Sequence, residues 1–163
     1  MSEGRQRRWL TRRTLTRAGA VLLILGILGG GGYMLAGSDM LQKLSRGRTV
    51  EFIQLEEEAI PREITADVIP DYRDLERALG CLVDGKVYVV VTRGEKPTAG
   101  YDIQIDKMKL EKTEQGKNLV VTTLFTDPPA GEAVAQVITY PYQAAETDLT
   151  ELPDTIELRT IFQ

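Results

Sequence analysis

The chain has 163 residues, enough for one modest domain once its unlike ends are set aside. Its net charge of −4 averages two pieces, because residues 1–17 hold six arginines and one acid, whereas residues 37–163 hold 14 basic and 23 acidic residues. The acidic part argues against nucleic-acid binding, the absence of histidine removes the commonest metal ligand and general base, and a single cysteine excludes an internal disulfide.

An uncharged apolar segment follows the arginine-rich tail. Residues 18–36 (AGAVLLILGILGGGGYMLA) contain no charged side chain, and a helix of this length spans roughly 28 Å, close to the ~30 Å hydrocarbon core of a bilayer. The arginines before it place the N-terminus in the cytoplasm by the positive-inside rule. The sequence therefore predicts a cytoplasmic basic tail (1–17), a single transmembrane helix (18–36), a linker (37–49) and an extracytoplasmic domain (50–163).

Two other export signals stay open for the same segment. A cleaved signal peptide needs a small-residue cleavage site, which Met34-Leu35-Ala36 matches poorly. Residues 11–17 (TRRTLTR) loosely resemble a twin-arginine signal, although six arginines among the first seventeen residues produce such pairs by chance. Either route also delivers the domain outside the cytoplasm.

Short apolar runs separated by turn residues predict a mostly β domain. One short helix is expected over residues 71–79, where Asp71 can cap it and Gly80 can end it, and an extended stretch is expected from Ile60-Pro61. Asp84-Gly85 predicts a two-residue hairpin turn, and the run 87–91 is apolar on both faces, as in a central strand. The fold class is therefore a small, mostly antiparallel sheet or sandwich. Strands are predicted at residues 50–55, 81–83, 86–92, 100–110, 118–125, 134–139 and 155–162.

The residues do not predict catalysis. Without histidine a Ser–His or Cys–His pair cannot form, and Cys81 at a strand start suits a small core residue. No glycine-rich phosphate loop follows a strand and opens a helix. We therefore expect a protein that is not an enzyme and that uses no cofactor, metal or small-molecule substrate.

Two loop segments favour protein recognition instead. Residues 92–101 (TRGEKPTAGY) join two predicted strands, and residues 139–143 (TYPYQ) close another with tyrosines around a proline. Rigid loops tipped with aromatic side chains lose little entropy on binding and bury much area. The alternative is a glycine turn and a strand-closing proline, with the tyrosines packed inward.

Three segments of the sequence form a recognisable set: GEKPTAGYDIQI (94–105), NLVVTT (118–123) and DPPAGEAVAQVITYPYQ (127–143). Together they resemble the C-terminal domain of the protease complex subunit PrcB family, over roughly residues 85–145. It implies an extracytoplasmic accessory protein that associates with a surface protease. One departure is Ala99, which stands where the family usually has the first glycine of a T-G-G-Y turn, so that a positive φ at this position would strain the chain.

The same loops also resemble those of chagasin-type cysteine protease inhibitors, which present two loops beside each other on a β-sandwich. The middle G-x-G-G loop of those inhibitors is absent here, and Tyr142 stands in place of a tryptophan. The leading prediction is a membrane-anchored extracytoplasmic binding module that assists or stabilises a surface or secreted protease. The alternatives are a protease inhibitor and a structural cell-envelope protein. The predicted partner contact comprises Lys96, Pro97, Thr98, Gly100, Tyr101, Pro141 and Tyr142.

Overall fold

The computed structural model describes residues 22–25, 47–131 and 133–163. These residues form strands, a 3₁₀ turn (Glu57–Ala59), a π-helical turn (Ile64–Val68) and a short α-helix, α1 (Ile69–Tyr72). The strands are β1 (Leu22–Leu25), β2 (Arg48–Val50), β3 (Phe52–Leu55), β4 (Glu76–Val83), β5 (Lys86–Arg93), β6 (Asp102–Thr113), β7 (Gly116–Thr126), β8 (Tyr142–Thr147) and β9 (Thr155–Phe162).

The strands form two sheets that pack face to face. Sheet A has the order β1-β4-β5-β8-β3, and sheet B has the order β2-β6-β7-β9. Every pairing is antiparallel except that of β7 with β9, which is parallel over eight residue pairs. The predicted fold class, a mostly β sandwich with one short helix, is confirmed for the described residues.

The main core lies between the two sheets. Sheet A contributes the row Val87, Val89 and Val91 from β5, and sheet B contributes larger side chains such as Phe125 and Leu119. All of these side chains are almost completely buried. β5 is therefore the central strand that the apolar run 87–91 predicted, because Tyr88 and Val90 cover its other face in a second core.

A second core covers the opposite face of sheet A. Ile64 and Val68 of the π-helical turn pack with Ile69 of α1 against Leu79 and Val90 of the sheet. The domain thus has three layers, with a helical segment outside sheet A and sheet B on the other side. Sheet A is buried on both faces, which explains the apolar residues at consecutive positions of its central strands.

The predicted helix over residues 71–79 is wrong. The helical residues come earlier, because α1 continues directly from the π-helical turn and ends at Tyr72. The following residues form β4, in which Ala78 to Cys81 are all buried. Burial on both faces favours a strand there, and this tertiary effect overrides the helical spacing of Tyr72, Leu75 and Leu79. The extended stretch expected from Ile60-Pro61 is also absent, because the Pro61 carbonyl accepts the N–H of Ile64 at 2.9 Å and so begins the helical segment.

The predicted strand over residues 50–55 is divided between the two sheets. β2 pairs with β6 and β3 pairs with β8, so the chain crosses from sheet B to sheet A at Glu51. The Glu51 carbonyl accepts the N–H of Asp148 at 3.0 Å. β2 begins at Arg48, two residues before the predicted domain boundary at Val50, so Arg48 and Thr49 belong to sheet B rather than to the linker.

Two local predictions are confirmed in detail. Asp84 and Gly85 have φ values of 50° and 77°, as required by the mirror-image turn that joins two strands through two residues. In β6 a bulge between Ile105 and Lys107 shifts the alternation by one residue. Because of this shift Ile103, Ile105 and Met108 all face the core, within the strand that the sequence predicted over residues 100–110.

The predicted transmembrane helix over residues 18–36 lies almost entirely outside the described residues. Its four described residues, Leu22–Leu25, form β1, which pairs antiparallel with Leu79–Leu82 of β4. A short aliphatic run suits a buried strand as well as a helix, since periodicity alone does not distinguish the two. Among the described helices, none is long and apolar enough to cross a membrane.

Candidate functional site

Two segments lie side by side at one end of sheet A. Residues 94–101 leave β5 and enter β6, and residues 133–141 lead into β8. Since β5 and β8 are neighbours in the sheet, with Thr92 opposite Tyr142, the segments beyond their ends continue next to each other. We call residues 94–101 and 133–141 the paired loops.

Backbone hydrogen bonds hold the paired loops together. The N–H of Lys96 donates to the Thr139 carbonyl at 2.9 Å, and the N–H of Thr139 donates back to the Lys96 carbonyl at 2.9 Å. Further along, the Ala99 N–H donates to the Ala135 carbonyl at 3.0 Å, and the Thr139 hydroxyl donates to the Thr98 carbonyl at 2.8 Å. These bonds fix the relative position of two loops that are far apart in the sequence.

The predicted strand over residues 134–139 is wrong. These residues are extended but form one isolated bridge, Lys96 with Thr139, and β8 begins only at Tyr142. As a result Val137 and Ile138 do not pack into a sheet and remain 54% and 61% exposed. Because a strand was predicted over residues 134–139, Val137 and Ile138 were not part of the predicted contact. The sequence signal that could have indicated their place on this surface is two apolar side chains next to the proline-tyrosine segment 140–142.

Gly100 holds the turn that ends the first of the paired loops. Its φ is 92°, in the region that glycine adopts freely, and a Cβ atom there would lie 3.0 Å from the Cβ of Pro128. Among the described residues other than glycine, Asp84 alone has a positive φ. Ala99 is therefore unstrained, and the departure from the T-G-G-Y pattern leaves the turn intact because Gly100 supplies its special conformation.

Replacing Gly100 with alanine is expected to lower the free energy of unfolding by about 1–3 kcal/mol, because the new Cβ meets both an unfavourable φ and Pro128. Ala99→Gly is the matched control, with an expected loss below about 1 kcal/mol from added freedom of the unfolded chain. Urea titration of the two full-length variants measures both values. Equal losses would contradict the assignment of the turn to Gly100.

The tyrosines of this region occupy different environments. The Tyr140 hydroxyl donates to Glu95 Oε2 at 2.9 Å, which raises the pKa of Tyr140, and the Arg73 guanidinium lies 4.4 Å from the Tyr140 ring centre. The Tyr101 ring is contacted by Arg93, at 5.0 Å from the ring centre. Tyr142 instead packs against the second core, where burial raises its pKa. Tyr140 therefore links the paired loops, whereas the ring of Tyr142 also supports the fold.

Arg93 anchors the base of the paired loops from inside the sandwich. It continues the inward row of β5, and its side chain is 2% exposed. Its Nη1 donates to the Asp102 carbonyl at 3.0 Å and to the Thr126 carbonyl at 2.7 Å, while Nη2 pairs with Asp127. One side chain thus joins the end of β5 to the start of β6 and the end of β7.

The single cysteine, Cys81, is buried in the second core. Burial raises the pKa of the Cys81 thiol to about 12, so that it stays protonated and unreactive at neutral pH. Within residues 47–131 and 133–163, no group of three Asp, Glu or Cys side chains is placed to hold a metal ion.

The structure brings most of the predicted contact residues together. Lys96, Pro97 and Thr98 lie across the bridge from Thr139 and next to Pro141, whose carbonyl accepts the Arg93 N–H at 3.0 Å. Pro97 and Gly100 are exposed, and the others are half-buried. The side-by-side arrangement of loops that the inhibitor resemblance implied is present.

These features define a β-sandwich domain with a preformed loop surface at one end. Residues 87–148 match the family described as PrcB C-terminal, which confirms the resemblance found in the sequence over this part of the chain. The matched region runs from β5 to β8 and includes both paired loops. Comparison with curated proteins gave no match, and neither did comparison with solved structures.

Proposed function

We propose that this protein is a membrane-anchored extracytoplasmic binding module, an accessory subunit that assists or stabilises a surface or secreted protease. The observation that carries the proposal is the exposed apolar pair Val137 and Ile138 on the paired loops. The match to the PrcB C-terminal family supports an association with a protease complex.

The paired loops suit recognition because their shape exists before a partner arrives. The reciprocal bonds between Lys96 and Thr139 and the bond from Ala99 to Ala135 hold the backbone in place. Pro97 restricts the chain further at an exposed position. A surface that is already ordered loses less conformational entropy on binding, so more of the contact energy appears as affinity.

The surface of the paired loops combines apolar and charged side chains, as protein interfaces do. Val137 and Ile138 supply apolar area, while Lys96 and Glu95 lie close by and can form a polar rim. A partner of matching chemistry presents a shallow apolar site bordered by charges of both signs.

Anchoring rests on residues 18–36, an uncharged run long enough to cross a bilayer, and on the six arginines before it. In this orientation the tail is cytoplasmic, and the domain lies outside with its paired loops available to an external partner.

Replacing Ile138 with aspartate is expected to reduce recovery of the partner at least tenfold, because a charge would be buried at the centre of the contact. The full chain is expressed in intact cells, proteins near it are crosslinked from the outside, and the protease is identified by mass spectrometry. Ile53→Asp is the matched control, since Ile53 is 70% exposed on β3 and lies outside the paired loops.

Two results would contradict the proposal. Equal recovery of the protease with both variants would remove the paired loops from the contact. A domain that resists external protease in intact cells, and is digested only after detergent is added, would place it on the cytoplasmic side. Melting curves of both variants check that the aspartates leave the fold intact.

A further inference from the structure

β1 is the outermost strand of sheet A, and it covers half of the outer edge of β4. Leu22 to Leu25 pair with Leu82 to Leu79, whereas Glu76–Ala78 and Val83 have no strand beside them on that side within the described residues. Val83 and Lys86 flank the two-residue turn and pair across the hairpin. By the alternation of an antiparallel ladder, Gly80 and Leu82 therefore direct their N–H and C=O groups outward.

Both faces of this edge are lined by apolar layers. On one face, a Cβ atom at Gly80 would lie 2.8 Å from Cδ1 of Ile156, so sheet B lies directly beneath. On the other face, Leu79 and Cys81 belong to the second core with Ile64. Side chains of a strand added to this edge would therefore border an apolar layer on each face.

This geometry selects the kind of strand that fits. An ordinary edge strand alternates polar and apolar residues because one face meets water. Here a polar side chain on either face would be removed from water without a partner, at a free-energy cost. The edge therefore accepts a segment that is aliphatic at consecutive positions.

The sequence Leu-Leu-Ile-Leu of β1 meets this requirement at each of its four positions. The same four residues belong to the segment 18–36 that is proposed to cross the membrane. One segment cannot lie in a bilayer and in sheet A at the same time. Membrane insertion consequently uncovers the edge of β4, and an uncovered edge is a template for pairing with another chain.

We propose that, in the membrane-inserted protein, the outer edge of β4 is a strand-addition site for an extended aliphatic segment of a partner protein. Binding of this kind takes its affinity from main-chain hydrogen bonds and its specificity from alternate side chains on the two faces. The proposal rests on the anchoring part of the proposed function, but it uses a surface separate from the paired loops. Leu22–Leu25 closes the site whenever the apolar segment is not in lipid.

The test uses the full chain in phosphatidylcholine nanodiscs and the peptide KKLLILKK, in which lysines keep the aliphatic core soluble. We expect the peptide to slow hydrogen exchange of the Gly80 and Leu82 amides about tenfold or more, since both N–H groups gain acceptors. The control is the same peptide methylated on the backbone nitrogens of its first leucine and its isoleucine, the positions that correspond to Leu22 and Ile24 opposite Leu82 and Gly80. It keeps every side chain but loses the donors that face β4. Equal exchange with and without the parent peptide, or equal protection by both peptides, would overturn the proposal.

Failure of the anchor is measured separately. Carbonate extraction of cell membranes that contain the full chain reports whether the protein is inserted. If the protein is extracted, the anchoring fails, and the peptide is then tested on a full-length Leu23→Pro/Ile24→Pro variant, in which β1 cannot pair. Protection of Gly80 and Leu82 in that variant supports the strand-addition site without the membrane, and its absence overturns the site.

Discussion

Replacing Arg93 with methionine lowers the free energy of unfolding by about 2–4 kcal/mol, because two carbonyl groups lose charge-assisted hydrogen bonds at a buried position. Those carbonyls belong to Asp102 and Thr126, at the start of β6 and the end of β7. Methionine keeps most of the packing volume, so the loss reports the polar contacts rather than a cavity. Urea titration of the full-length variant measures it.

Two controls divide the effect of Arg93 into its parts. Asp127→Asn removes the charge partner alone, and because the Asp127 side chain is 59% exposed, we expect a loss below about 1 kcal/mol. Arg93→Lys keeps the charge without the forked donor geometry and should fall between the two. If Asp127→Asn destabilised the protein as much as Arg93→Met, the ion pair rather than the carbonyl bonds would be the main contribution of Arg93.

Replacing Phe125 with alanine is expected to cost about 3–5 kcal/mol of unfolding free energy, because a fully buried ring leaves a cavity between the two sheets. Phe125 is 0% exposed and lies in the main core, where its ring also contacts Arg93 at 4.6 Å from the ring centre. The measurement is the same urea titration, with equal slopes required for the comparison.

Phe162→Ala is the matched control for Phe125. The two rings form an edge-to-face pair with centroids 5.9 Å apart, but Phe162 is 66% exposed. We expect Phe162→Ala to lower the free energy of unfolding by about 1 kcal/mol, the value of an aromatic pair contact. Similar losses for both variants would show that β7 is less firmly packed than its burial indicates.

Local chemistry decided the parts of the fold that the sequence predicted well. Asp84-Gly85 specifies its turn through backbone conformation, and the limits of β9, Thr155–Phe162, agree with the prediction because its alternating β-branched residues follow the turn residues Pro153 and Asp154. The failures have tertiary causes. β4 is a strand because both faces of sheet A are covered. The local sequence of residues 71–83 does not indicate that other layers cover these faces.

The sequence predicted which two loops form the candidate site, but it did not predict all of the side chains that they expose. Proline and glycine indicated two rigid loops, and the structure places them side by side. Pairing between residues 96 and 139 is a long-range contact, so no local pattern indicates that Val137 and Ile138 lie outside both sheets. Tyr142 was assigned to the contact by its neighbours in the sequence, whereas β8 turns its ring toward the second core.

The parallel pairing of β9 with β7 has a consequence for biosynthesis. β9 supplies Ile156 and Leu158 to the main core, so sheet B is incomplete until residues 155–162 have been synthesised. A chain that is exported N-terminal anchor first would therefore travel through the secretion channel unfolded. Its domain would assemble only after β9 has emerged, on the side of the membrane that is proposed for it.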